Sequence, residues 1–93
     1  MFAIARFKVP VGERETFLAD LAIAHEALAD CPGYRSGRIG ENTDEPGLVA
    51  LVTEWVNIGS YRRALSNFQV KLKAVPILAR AIDEPGGYIE PSE

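Results

Sequence analysis

Leu48, Val49, Ala50, Leu51 and Val52 form an unbroken apolar run that leads into Thr53, Glu54 and Trp55. A strand without polar alternation needs cover on both of its faces. One face can take helices. A chain this short has no further element for the other face, which must either meet water at a cost or meet a second copy of the protein. Phe2 to Val9 does alternate and reads as a strand, with Ala3, Ala5, Phe7 and Val9 on one face and Phe2, Ile4, Arg6 and Lys8 on the other. Pro10-Val11-Gly12 breaks it. A helix is expected from about Glu13 to Asp30, with Glu13 and Glu15 near the positive end of its dipole and an apolar stripe of Phe17, Leu21, Ala24 and Leu28. Pro32-Gly33 ends that helix. Tyr34 to Glu41 is a second, weaker strand with Gly37 inside it, and Asn42 to Gly47 is a turn-rich connection into Leu48–Trp55. These two strands should pair antiparallel.

A second helical region runs from about Ile58 to Ile82, and its residues argue against one straight rod. Ser66-x-x-Gln69 has capping-box spacing, so helix stops and restarts there. Pro76 implies another break, because Val75 before it is pushed away from helical geometry. Gly86-Gly87 precedes a short last strand at Tyr88 to Glu90. The order β-α-β-β-α-β predicts an α+β, ferredoxin-like domain over residues 1–93, with an antiparallel sheet whose first and third strands lie adjacent at the centre. Asp-Glu-Pro-Gly occurs at 44–47 and at 83–86, once between strands and once between helix and strand, and reads as two turns of similar composition.

Ninety-three residues make one domain that buries roughly 60–65% of its unfolded-chain surface, enough for a core but not for both faces of a sheet. A net charge of −3 gives no global basic field, so nucleic acid is not an expected partner. No apolar run approaches the roughly 20 residues of a membrane span, and no signal peptide opens the chain, so a cytoplasmic protein without a membrane partner is expected. Cys31 stands alone at a helix end and has no internal disulfide partner; it reads as a small half-buried residue, with a reactive thiol as the alternative. His25 lies at the edge of the helix stripe, as a half-buried structural histidine or as a proton-transfer residue. One histidine and one cysteine give little support to a metal site. Between Trp55 and Ile82 stand Arg62, Arg63, Lys71, Lys73 and Arg80 with no acidic residue. This pattern fits a positive rim favouring an anionic or phenolate ligand, or the ordinary solvated face of an amphipathic helix.

The element order, the strand ending in Thr-Glu-Trp, the Ser60-Tyr61-Arg62-Arg63-Ala64-Leu65 helix start and the late segment from Val75 to Pro85 resemble the antibiotic biosynthesis monooxygenase family of the dimeric α+β barrel superfamily. The resemblance spans nearly the whole chain. It implies a homodimer and a cofactor-independent oxygenation of an aromatic or polyketide-type molecule, with no cofactor and no metal. Such chemistry needs an electron-rich substrate that can be deprotonated, which the protein binds, desolvates and stabilises as an anion. The superfamily also holds haem-degrading enzymes, isomerases and members of unassigned function. In quinone-forming members a tryptophan and a tyrosine six residues later act with an asparagine and an arginine. Trp55 and Tyr61 stand at that spacing and are the implied catalytic pair. The asparagine position is Leu51 here, and the nearest arginine to the expected place is Arg80. The haem-degrading branch uses a first-strand asparagine and a late histidine, but this chain has Ala5 and no histidine after His25.

The strand period then separates two faces. With Trp55 toward the helices, Thr53, Leu51 and Val49 join it, beside Ala3, Ala5 and Phe7 of the first strand. Two alanines under a helix pair leave room for a cavity roofed by the broken helix and walled by Trp55, Phe7 and Tyr61; a core filled by Phe17, Leu21 and Leu28 is the alternative. The expected ligand is a hydrophobic aromatic small molecule, with Phe7, Leu51, Arg62, Arg63, Arg80 and His25 as binding residues. A non-catalytic binding or interaction domain of the same fold is the alternative function. The opposite face, with Ile4, Arg6, Leu48, Ala50, Val52 and Glu54, is the expected homodimer contact, and Arg6 is expected to pair with Glu54 across it.

Overall fold

The pairing of the central strands sets the geometry of everything else. The structure, a computed structural model, describes residues 1–92. β1 (Phe2–Lys8) is followed by a 3₁₀ turn at Val11–Glu13, α1 (Arg14–Ala29), β2 (Tyr34–Glu41), β3 (Leu48–Trp55), the short helices α2 (Ile58–Leu65), α3 (Phe68–Lys73) and α4 (Val75–Leu78), and β4 (Gly87–Tyr88). The sheet order is β2-β3-β1-β4, with every pairing antiparallel. First and third strands are adjacent at the centre, as the ferredoxin-like reading requires.

The strand period assigns the two faces correctly. Val49, Leu51, Thr53 and Trp55 are buried with Ala3 and Phe7 beneath the helices. They meet Phe17, Leu21, Ala24 and Leu28 of α1, the stripe expected from the sequence. Burial of each large apolar side chain contributes roughly 1.5–3 kcal/mol, so this single layer carries most of the fold's stability. On the other face Ile4, Leu48, Ala50 and Val52 are half-buried and Glu54 is exposed.

The expected Arg6–Glu54 pair is not formed. Arg6 lies opposite Ala50, whereas Glu54 lies opposite Phe2, which is four residues away and about 14 Å along the strand. Arg6 reaches instead over the sheet edge to Glu84, its Nε and Nη2 donating to the two carboxylate oxygens at 2.7 Å each. The side-chain faces were right and the partner wrong, because register fixes which residues oppose each other.

The helical breaks fall near the expected places with different residues in charge. Asn67, and not Ser66, caps α3: its Oδ1 accepts from the amides of Gln69 at 2.9 Å and Val70 at 3.2 Å. Ser66 closes α2 instead. The second break comes at Ala74 (φ −111°), and Val75 is already helical, since Pro76 sits in the first turn of α4, where its missing amide hydrogen costs nothing. The last strand is also shorter than expected, and Ile89 and Glu90 lie beyond it.

Two junctions hold the helices against the sheet. Gly33 has φ +89°, and a Cβ there would collide with the Ser60 side chain, so only glycine lets α2 close on the end of α1. Arg14 donates to both carboxylate oxygens of Glu41, at 2.8 and 2.6 Å, tying the start of α1 to the end of β2.

Candidate functional site

The small residues of β1 and the interruption of the second helical region leave a gap between sheet and helices. Its outer part is a cleft of about 410 Å³, with Tyr61 and Leu65 of α2, Val75 and Leu78 of α4 and Ala79 just after α4 as its roof. Ile4 and Ala5 of β1 form the floor, and the strap 82–86 forms the lip. Behind it lies a recess of about 30 Å³ bounded by Ala3, Leu28, Leu51 and Thr53, with Ile4, Ala5, Tyr61 and Leu78 shared between the two spaces. A recess of that size holds one or two water-sized groups. The outer cleft is in the range that takes a small aromatic molecule.

The strap that forms the lip is held at both ends and in the middle by β1. The Ile82 amide donates to the Arg6 carbonyl at 2.8 Å, and the Ile4 amide donates to the Gly86 carbonyl at 2.7 Å. A Cβ on Gly86 would lie 2.7 Å from the Ile4 carbonyl oxygen, so the close approach requires glycine. Between these points the chain bulges outward and Glu84 clamps the Arg6 guanidinium. That hydrogen bond, with the guanidinium charge, holds the Glu84 carboxyl below its ordinary range against an opposing desolvation cost. Among the described residues Glu84 is the only carboxylate or cationic side chain lining the outer cleft.

Tyr61 is half-buried and carries its hydroxyl beside both cleft and recess. Among the described residues its hydroxyl has no hydrogen-bond partner within the protein. Burial pushes its phenol above the usual tyrosine value, so at neutral pH it is a neutral hydrogen-bond donor. Its ring rests on Trp55, with centroids 5.7 Å apart. Trp55 is 1% exposed, and its Nε1 donates to Thr53 Oγ1 at 2.8 Å. Trp55 therefore backs Tyr61 without lining the cleft. Behind Trp55, Tyr34 meets the indole edge-on at 5.5 Å, and the Tyr34 hydroxyl lies 2.7 Å from His25 Nε2. His25, Tyr34, Trp55 and Tyr61 thus form a packed line from the β2 side of the sheet to the cleft.

The other residues singled out from sequence fall into two groups. Leu51 lines the inner recess. Phe7 packs on Phe17 at 5.0 Å in the core, outside the cleft. The cations do not form a rim around it. Arg80 lies over the Phe17 ring at 4.9 Å and reaches Glu13 at 3.7 Å. Arg63 donates to Ser60 Oγ at 3.3 Å and borders a separate depression beside Cys31 and Pro32. Arg62 is exposed on α2 and does not line the cleft. Cys31 is buried, its thiol 3.5 Å from the Ala27 carbonyl oxygen and pushed up by burial, which leaves it unreactive. The sequence reading missed Glu84 and the lip. The available signal was the turn Asp83-Glu84-Pro85-Gly86 following apolar Ile82, which marks a bulge beside a strand.

Fold and site together define a small α+β domain with an apolar cleft between an antiparallel sheet and a broken helix. The chain belongs to the antibiotic biosynthesis monooxygenase family, whose model matches residues 1–71. Solved structures agree on the fold. A conserved protein from Methanosarcina mazei Go1 superimposes with a TM-score of 0.74 at 16% identity, over 92% of this chain and 84% of that one. A mutant of SnoaB, a cofactor-independent oxygenase from Streptomyces nogalater, gives 0.73 at 21% identity, over 87% and 82%. Rv0793 from Mycobacterium tuberculosis gives 0.71 at 17% identity, over 92% and 86%. No curated protein matches the chain in sequence.

Proposed function

We propose that the protein is a cofactor-independent monooxygenase for an electron-rich aromatic hydroquinone or anthrone held in the cleft beneath Tyr61. The observation that carries this reading is a neutral tyrosine hydroxyl, without a protein partner among the described residues, in a cleft of about 410 Å³ that is apolar apart from the Glu84 carboxylate at its lip. As the substrate loses a proton, Tyr61 donates a hydrogen bond to the developing oxyanion, and the bound aromatic itself displaces water from the cleft. The carbanion-like substrate passes an electron to dioxygen, one oxygen atom joins the ring carbon, and the other leaves as water with two hydrogens of the substrate. No external reductant is needed for that balance. Trp55 acts by holding Tyr61 in place. Arg62, Arg63 and Arg80 have no part in this reading, since their side chains are occupied or exposed elsewhere.

The same reading includes a homodimer formed through the face that carries Ile4, Leu48, Ala50 and Val52, which the chain's own helices do not cover. The test of activity is oxygen uptake by metal-stripped protein with a panel of anthrones and naphthalene hydroquinones, compared with autoxidation. Acceleration that Tyr61→Phe removes supports the reading. Absence of acceleration across the panel favours a second reading, a dimeric small-molecule-binding domain without catalysis. Leu51 favours that alternative, because it leaves the recess wall apolar where quinone-forming relatives place an amide.

A further inference from the structure

The helix α3 is built the wrong way round for a helix whose only task is to cover a core. At about 100° per residue, Val70 and Ala74 share one side and are fully buried. Phe68 and Leu72, four residues apart, fall on the opposite side, where they are 72% and 61% exposed. Lys71 and Lys73 lie between these two sides, one on each flank. Neither lysine joins an ion pair among the described residues. Val75, in the next turn, is also exposed and is at the same time part of the cleft roof. Two large apolar side chains thus stand at the apex of a convex ridge, with cations to either side and the cleft at its end.

We propose that this ridge docks the protein on an anionic lipid surface. Phe and Leu enter the headgroup boundary, and the two lysines extend their apolar stems alongside and place their ammonium groups at phosphate level. The charge pattern is complementary to such a surface: Lys71 and Lys73 flank the ridge, and no acidic residue stands between Val56 and Ile82 in a chain whose net charge is −3. Chemistry favours lipid over an acidic protein. Lysine is depleted at protein interfaces, where arginine, tyrosine and tryptophan supply the anchoring contacts, and a convex ridge has no groove for a partner helix. Because Val75 belongs to both ridge and cleft, the docked protein presents the cleft mouth to the phase in which apolar aromatics dissolve. The docking is measured without substrate, so it stands or fails separately from the oxygenase reading.

The test is co-sedimentation of the whole protein with phosphatidylcholine vesicles, with and without roughly one-third phosphatidylglycerol. The expected result is binding to the anionic vesicles only, weakened by high salt. The pair Lys71→Gln/Lys73→Gln lowers the binding constant by roughly fivefold per lysine. The pair Phe68→Gln/Leu72→Gln lowers it by about tenfold or more. All four side chains face solvent, and an unchanged thermal midpoint checks each variant; should the apolar pair misfold, the lysine pair decides alone. Equal sedimentation with neutral and anionic vesicles, or anionic binding untouched in the folded variants, overturns the proposal. Binding to polyglutamate with no binding to either vesicle overturns it in favour of an acidic protein partner.

Discussion

The surroundings of Tyr61 are set by its neighbours. Its ring is fixed against Trp55, whose indole nitrogen is already committed to Thr53, so among the described residues the phenol is the polar group of the pair without a protein partner. Removing that hydroxyl while keeping the ring leaves packing intact. Tyr61→Phe is therefore expected to lower kcat/KM for oxygen uptake by roughly fivefold to 150-fold, equivalent to roughly 1–3 kcal/mol, with little change in Tm. An equal loss of folding stability would instead assign the hydroxyl a structural role. The family resemblance had already coupled Trp55 with Tyr61, and the structure brings the two rings together. What spacing could not give was the exposure of each ring. Thr53 and Trp55, two residues apart on the same strand face, bond to each other, and the indole withdraws from the cleft. The basic residues were misplaced for a related reason, because a count of charges along a helix does not say which side of it faces the site.

At the scale of elements, the broken helix and the strap make the cleft, and both are held by specific polar contacts. Asn67→Ala removes the cap of α3 and is expected to cost about 1 kcal/mol in urea denaturation, whereas Ser66→Ala stays within about 0.5 kcal/mol. The opposite order would restore the capping-box reading of Ser66. The strap responds to acid. The Glu84 carboxyl is held below its ordinary value near 4.5 in the folded protein, so protons bind the unfolded chain more readily. The stabilisation from the Arg6–Glu84 clamp is thus present above that ordinary value and is lost as pH falls through the lower, folded one. Glu84→Gln, which lacks the titrating group, is expected to lose less stability over the same acid range in parallel denaturation curves. Identical acid slopes would mean that the clamp contributes nothing at neutral pH. The breaks in the second helical region were visible in its sequence, but the clamp was not. Arg6 and Glu84 are far apart in the chain, and only the return of segment 82–86 along the edge of β1 brings them together.

For the whole molecule, the same sheet that carries the cleft on one side leaves an apolar face uncovered on the other. Val52 lies near the middle of that face, opposite Ile4 on β1 and Arg38 on β2. Val52→Glu places a charge there and is expected to convert a dimer to a monomer in sedimentation velocity; a wild-type protein that is monomeric at all concentrations would remove the dimer from the account. Absence of a long apolar run spoke only to helices that cross a bilayer, and no described helix is long and apolar enough to do so. It left open the surface ridge on α3, whose pattern emerges only when buried and exposed sides are compared. The central claim is that chemistry occurs in the cleft beneath Tyr61, and the most direct measurement fills that cleft. Ala79 is exposed on its roof, so a tryptophan there occupies the space without disturbing the core, while Arg80→Gln changes a neighbouring residue directed elsewhere. Oxygen uptake with an accepted hydroquinone is expected to fall to the autoxidation rate in folded Ala79→Trp and to persist in Arg80→Gln. Full activity in Ala79→Trp together with loss in Arg80→Gln would contradict the account and move the site to the start of α1, where Arg80 lies over Phe17 beside Glu13.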